Sequence, residues 1–532
     1  MKPSTLSRTP ILANRSEAAG RRARPALGVL ASLVLAACTT VGPDYREPPV
    51  PVGNGWSQAQ PAGESAVELA RWWAALGDPV LERLVETALT RNLELRQALA
   101  RIDEARALRE RTAGAAAPRV GVGATVGRQR LSENGLLPVG RIPGLEADQT
   151  LHDAGFDASW ELDLFGGQRR AQESADARAA AAQLDAQGVR MRVAAEVARN
   201  WFTLLGATQE LHAQQAGIES LHQTLALLRQ RHAAGDVGAS ELDATAALAA
   251  AAQASLPAIE ARRRASALAL GLLLGGVPEQ ELALLQDTPE LRTLAAFPVG
   301  ERAELLRRRP DVRAAERRLA ASTAEIGVAT AELFPKLSIS AGGGLQALAT
   351  GDWFDASSAR WAVLPLISWR LFDGGRVRAE IRAREAGQQQ AALAYEQAVL
   401  AALGDAERAL GDYRAGLETL SGRRAAEEAS RRALEHARAR LAAGDIARTE
   451  LLAAERLLLE ARAASARAHG AAAVQMVALY KALGGGWDGA HAPGQSAPAG
   501  PAVAAVRARS PQAGTAQTGG HAFGSVASSP GD

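Results

Sequence analysis

Residues 160–167, Trp-Glu-Leu-Asp-Leu-Phe-Gly-Gly, return in altered form at 369–375 as Trp-Arg-Leu-Phe-Asp-Gly-Gly. In each copy an aromatic-led stretch runs into a pair of glycines, whose backbone reaches angles that other residues resist, and a long helical pattern starts behind them. Pro118-Arg119-Val120 precedes the first copy and Pro335-Lys336-Leu337 the second. His232-Ala-Ala-Gly235-Asp236-Val237 follows the first and Leu441-Ala-Ala-Gly444-Asp445-Ile446 the second. The landmarks keep their order at a spacing of roughly 210 residues, longer than the roughly 20–50 residues of solenoid repeats. The chain is therefore a duplicated domain.

Working back towards the N-terminus from each Trp-Gly-Gly landmark, the pattern has a period of two. Val120, Val122, Ala124 and Val126 alternate with Gly121, Gly123, Thr125 and Gly127, and Leu337, Ile339 and Ala341 alternate with Lys336, Ser338 and Ser340. Alternation of this kind predicts strands. Phe156, Ala158 and Trp160 supply the returning strand of the first hairpin, and Trp361, Val363, Ile367, Trp369 and Leu371 that of the second, with Pro365 marking an edge or irregular position. Strands of about 10 residues are long enough to cross a bilayer when tilted. Four of them cannot close a barrel, since membrane barrels have about eight strands or more. A membrane reading thus needs strands from other copies, because open edges in hydrocarbon leave backbone groups unpaired. A small soluble sheet capping a helical bundle fits the same pattern.

Beyond each glycine pair the period changes. Val197, Leu204, Leu211, Ile218 and Leu225 fall seven apart, with Leu221 and Leu228 as the second row, and Leu403, Leu410 and Leu417, followed by Leu420, repeat the device. This is a heptad seam. About 65 helical residues reach about 100 Å, far more than a compact domain needs.

The 532 residues carry a formal charge of +2 and one cysteine, so no basic face for nucleic acid is expected and no internal disulfide can form. Lys2 and several arginines precede an apolar run, Pro25–Ala37, in the order of an export signal. Leu35-Ala-Ala-Cys38 resembles a bacterial lipobox, which implies lipidation at Cys38. No later segment has the roughly 18 consecutive apolar residues of a membrane helix, so any crossing of a membrane falls to the strands. The proline-rich stretch after Cys38 reads as an extended tether. The Gly, Ala, Pro and Ser-rich tail from 484 to 532 reads as disordered.

Leu305–Leu337, reading LLRRRPDVRAAERRLAASTAEIGVATAELFPKL, resembles a signature of the outer membrane factor family, the TolC-like channels, and within it the NodT-type lipoproteins. Arg71–Ala107, RWWAALGDPVLERLVETALTRNLELRQALARIDEARA, resembles the first periplasmic helices of that family, and Cys38-Thr-Thr-Val-Gly-Pro-Asp-Tyr45 its lipidated start. Read physically, Pro310 opens a helix with Asp311 near its N-terminus, and Arg307, Arg308 and Arg309 form a solvated face. The resemblance implies a mainly α protein with a membrane β-barrel, built from duplicated strand-strand-long-helix halves. Three copies would share one twelve-stranded barrel above a periplasmic α-helical coiled-coil tunnel with a mixed α/β belt. The expected division is a signal peptide at 1–37, a lipidated tether at 38–63, repeats at 64–275 and 276–483, and the tail at 484–532. Within the repeats the hairpins fall near 119–165 and 336–373, and the long helices at 168–275 and 376–483.

The same resemblance implies a homotrimer in the outer membrane, anchored to lipid, that works with a periplasmic adaptor (membrane fusion protein) and an inner-membrane pump of the resistance-nodulation-division class. It would be the passive exit duct of a tripartite efflux system for drugs or other small molecules. Its periplasmic tips would lie at Gly235-Asp236 and at Gly444-Asp445 with Arg448, where glycine suits the left-handed end of a helix and Ser240 or Thr449 would cap the next. Many relatives carry aspartate nine residues beyond the tip glycine. Here those positions are Ala244 and Ala453, so Glu241, Asp243 and Glu450 are the candidates for a pore constriction, with dipole partners at helix starts as the competing role.

No catalytic site, metal or cofactor is expected. His212, His222 and His232 are ten apart, which turns them to different helix faces, and the sequence carries no phosphate loop or zinc motif. Gly121-Val-Gly123 lacks the third glycine of a nucleotide fingerprint. The alternative reading is a periplasmic coiled-coil adaptor or scaffold lipoprotein, which predicts one long hairpin and a lipoyl-like β domain.

Overall fold

The computed structural model describes residues 40–487, apart from 50–52, 54, 58–68, 134–138, 140–142, 144–145, 287 and 298. Cys38, the expected signal segment and the tail beyond Trp487 lie outside the described residues.

Four antiparallel strands, β1 (Arg119–Arg130), β2 (Asp148–Leu162), β3 (Lys336–Ala347) and β4 (Ala359–Ser368), form one sheet in chain order. Register sorts the side chains. Val122, Phe156, Gly343 and Trp361 stand in one row across the strands and Val120, Ala158, Ala341 and Val363 in another of the same face. Gly121, Asp157, Gly342 and Ala362 form a row of the opposite face, because neighbours along a strand point to opposite sides. The apolar face is solvent-exposed, with Val122 and Trp361 at 90% and 82%. Pro365 sits in β4, an edge strand, opposite Ile339, and Trp369 and Leu371 lie beyond the strand end.

The two repeated tryptophans have matching jobs. Trp160 Nε1 donates to the Ala116 carbonyl at 3.0 Å and Trp369 Nε1 to the Leu333 carbonyl at 3.0 Å, each two residues ahead of the landmark proline that opens its hairpin. Strand then turns into helix by one device in both halves. Gly166 and Gly375 take left-handed angles at the N-caps of the long helices. Asp163 accepts from the amides of Gln168 and Arg169, and Asp373 from those of Gly375 and Val377, a carboxylate on each positive helix end.

The helices are α1 (Trp72–Ala75), α2 (Pro79–Arg91), α3 (Leu93–Gly114), α4 (Gly167–Ala233), α5 (Ala239–Ala254), α6 (Leu256–Leu273), α7 (Arg302–Arg308), α8 (Pro310–Ala331), α9 (Arg376–Ala443) and α10 (Arg448–Ala482). α4 has 67 residues and α9 has 68, each about 100 Å long. The first-half heptad residues are all buried, as are Leu410 and Leu420 of the second half. Asp78 opens α2, accepting from Val80 N at 2.9 Å and Leu81 N at 3.1 Å, and its other oxygen takes the Trp201 indole at 2.7 Å. The main core forms here around Trp72, Trp73, Trp201, Tyr413 and Tyr480, where the long helices, α2, α3 and α10 converge.

Two features differ from expectation. The described residues of the middle of the molecule form helices and an extended run, Pro289–Phe297, and no strands, since that run finds no backbone partner among them. Ala239–Leu273, with an 18-residue window of mean hydropathy 1.2, is by length and composition apolar enough to cross a membrane. Of its alanines, Ala249 and Ala252 pack against Ile218 and Leu221 of α4, whereas only 22% of its apolar window is buried within the protomer.

Candidate functional site: a duct, its strap and its tips

Both long helices leave the sheet and end in a short reversal. At the first, Gly235 has φ 82° and Asp236 N donates to Arg231 O at 2.9 Å; at the second, Gly444 has φ 79° and Asp445 N donates to Arg440 O at 2.9 Å. The residue after each glycine thus bonds the carbonyl five positions back, the turn by which a left-handed glycine ends a helix. A side chain at either glycine would meet open space. Asp236 and Asp445 are exposed at these tips, and Arg448 is half-buried at the start of α10. Ser240 and Thr449 do not cap the following helices. Gly238 and Ala447 occupy the N-cap positions, and both hydroxyl residues lie one residue inside the helix, where the side chain cannot reach back to close the N-terminus.

Of the constriction candidates, Glu241 is half-buried, whereas Asp243 and Glu450 are exposed. The sequence missed a fourth acid. Glu455, two turns into α10, has a nearly buried side chain with Arg438 3.6 Å away, and its Oε2 has no hydrogen-bond partner among the described residues. Burial pushes its carboxyl above the usual range, with Arg438 and Arg448 pulling the other way.

The chain after Cys38 is no free spacer. Val41 N donates to Phe165 O at 3.0 Å, and the buried Arg170 guanidinium of α4 donates to Val41 O at 3.1 Å, Gly42 O at 3.3 Å and Asp44 at 2.6 Å. Gly42 packs on the Gly327 backbone of α8, and Tyr45 OH donates to Glu316 at 2.6 Å. This strap crosses the base of the sheet.

Arg309 was expected on a solvated face and is instead 7% exposed. It pairs with Asp311 at 2.6 Å and Asp405 at 3.6 Å, and donates to the carbonyls of Ala402 and Ala482 at 3.4 Å. One guanidinium therefore joins α8, α9 and α10. Arg309 is the extended residue between α7 and α8, with φ −70° and ψ 117°, so it leaves the helical face that carries Arg307 and Arg308 and turns inward. Glu210, also missed, is 2% exposed and held by Arg262 of α6 at 3.1 Å and Arg467 of α10 at 3.3 Å.

A four-stranded sheet with two open edges and an outward apolar face, continued by helices of about 100 Å, defines one stave of a shared membrane barrel with a helical duct attached. The model of the family "Outer membrane efflux protein" matches residues 84–276 and 302–485. The pyoverdine export outer membrane protein OpmQ of Pseudomonas putida is 33% identical over 461 residues, 86% of this chain and 96% of its own. Outer membrane protein OprJ of Pseudomonas aeruginosa is 31% identical over 474 residues, covering 87% and 97%. The solved structure of the outer-membrane channel OprN has 37% identity and a TM-score of 0.75 over 84% of this chain and 99% of that one. The chain belongs to the outer membrane efflux protein family. It is the outer-membrane channel of an efflux system, and three copies close one twelve-stranded barrel above a coiled-coil tunnel. The adaptor alternative fails on the fold itself, which has two helical hairpin tips and a single flat-edged sheet.

Proposed function

We propose that the duct is passive and carries no chemistry of its own, with a periplasmic adaptor docked at the Gly235-Asp236 and Gly444-Asp445 tips and an inner-membrane pump of the resistance-nodulation-division class supplying the energy. The observation that carries this is the identity of the two tip turns, each with its glycine in left-handed geometry and its aspartate exposed. A threefold assembly would present six near-equivalent knuckles to a partner. Glu241, Asp243 and Glu450 lie within the first turns beyond those tips and would line the narrowed entrance. Cys38 is the proposed lipidation site, with residues 1–37 removed as a signal, 38–63 following as the lipidated segment, and the two repeats at 64–275 and 276–483.

The test has two arms. Purified protein in a planar lipid bilayer should give discrete conductance steps and run as a trimer, whereas a conducting monomer would refute the shared barrel. With Cys38 retained, Asp445→Cys carrying a short photo-activated cross-linker should trap the adaptor in cells. Failure to trap it while drug efflux stays normal would refute docking at this tip.

A further inference from the structure

A cavity of about 450 Å³ lies in the middle of the protomer, away from the tips and the sheet. Its walls come from the corner between α1 and α2, from Phe202 and Leu205 of α4, from Leu294 and Phe297 of the extended run, and from Met476 and Tyr480 of α10. Such a volume lies within the range of about 300–1,000 Å³ typical of small-molecule sites, which are largely apolar with a few placed polar groups.

The walls are pinned in place. Tyr413 OH donates to Ala295 O at 2.7 Å, and His469 Nε2 lies 2.9 Å from Arg292 O, so the extended run is tied down although it belongs to no strand. Tyr480 stacks on Phe297 at 4.6 Å and on Trp72 at 4.7 Å. One polar side chain of the lining is both buried and unpartnered, whereas Glu290, Arg292 and Thr293 are exposed to solvent and the main chain of the extended run has no backbone partner among the described residues. Asp78 already accepts from two amides and the Trp201 indole. Tyr480, 5% exposed, makes no hydrogen bond with any described residue. Burial pushes its phenol up to about 12, so it is a neutral donor at any physiological pH.

We propose that this cavity binds a small uncharged aromatic solute with one hydrogen-bond acceptor, its ring held among Phe202, Phe297 and Met476 and its acceptor taking the Tyr480 hydroxyl. An unpaired charge would be costly to bury there, and a purely aliphatic guest would leave the phenol unpaired. The inference stands on the cavity and does not rest on the adaptor-docked reading of the duct.

The probes are 4-fluoroacetophenone, which has an acceptor, and fluorobenzene, which has none, followed by fluorine NMR with the full-length protein in lipid nanodiscs. Empty nanodiscs correct for partitioning into lipid. Both probes should bind saturably to the wild type. Tyr480→Phe, which keeps the ring stack, should weaken 4-fluoroacetophenone about fivefold, the worth of one hydrogen bond, and leave fluorobenzene unchanged. Leu205→Trp should abolish saturable binding of both by filling the space. Absence of saturable binding to the wild type would mean that the neighbouring protomer closes the cavity, and would overturn the proposal. Equal effects of Tyr480→Phe on the two probes, including none, would overturn the ligand class. If Leu205→Trp fails to form trimers, the Tyr480→Phe comparison decides alone.

Discussion

Gly206 of α4 and Gly470 of α10 touch backbone to backbone: a Cβ built on Gly206 would lie 2.7 Å from the Gly470 Cα, and one built on Gly470 2.8 Å from the Gly206 Cα. One turn from this contact Glu210 is gripped by Arg467. Two small residues let the helices approach to main-chain contact, and an ion pair between the buried Glu210 carboxylate and the half-exposed Arg467 fixes their rotation. The crossing sets how close the second hairpin stands to the first.

Gly206→Ala should therefore force the helices apart and destabilise the helical body by about 1–3 kcal/mol through overpacking. Gly470→Ala should do the same. The double variant should cost much less than the sum, because the first methyl already opens the crossing. Thermal melts of the three proteins, read by circular dichroism, check this; strictly additive losses would show that the two glycines are not in contact.

Removing the Arg309 side chain with Arg309→Met should destabilise the body by about 2 kcal/mol, less than for a fully buried pair because Asp311 and Asp405 are half-exposed. Arg309→Lys should recover little, since one ammonium cannot serve two carboxylates and two carbonyls of three helices. Asp311 has a pH signature of its own. Burial raises its pKa, but the Arg309 hydrogen bond and charge outweigh this and hold it below the usual carboxylate value. Its stabilising contribution is thus present at neutral pH and lost as pH falls through the depressed value. The acid limb of the stability curve should flatten in Arg309→Met.

Glu455 acts in the opposite sense. Its raised pKa means that the folded state prefers the protonated acid, so its contribution favours folding at low pH and is lost as pH rises through the elevated value. Glu455→Gln should stabilise the coiled coil at pH 8 and do little at pH 4.5. Equal melting shifts at both pH values would contradict this account.

At the tips, Gly444→Val should cost about 1 kcal/mol or more, because a β-branched residue resists φ near +79°. The space around the residue is open, so the strain stays local, and the protein should insert and form trimers normally. Adaptor cross-linking and drug efflux should fall. Normal values for both, at normal abundance in the membrane, would remove the tip from the docking site.

Periodic features were readable in the sequence because period is itself the physics. The heptad rows, the alternating strands and the two left-handed glycines are each fixed by local geometry, and each copy of the repeat checks the other. Residues whose role depends on distant partners were not readable. Arg170 meets Asp44, 126 residues earlier, and nothing in its neighbourhood announces that it will be buried. Arg309 looks like its two neighbours until Pro310 fixes where the helix starts. Ser240 and Thr449 lie two positions past the N-caps that the structure gives to Gly238 and Ala447, within the usual error of a helix boundary. The lone phenol of Tyr480 lies on a helix whose pattern reads simply as core.

The strap at the base of the sheet turns a covalent modification into a measure of height. Thr40 lies against Gly166, four residues past the last residue of β2. Two residues of chain reach at most about 7 Å, so acyl chains on Cys38 would have to enter the bilayer beside the barrel's periplasmic rim. The Arg170 clamp would then act as a depth gauge: it would tie the lipid's preferred level to the level of the strands, so that a barrel sitting too high or too low would have to break the clamp or drag its anchor through the headgroups.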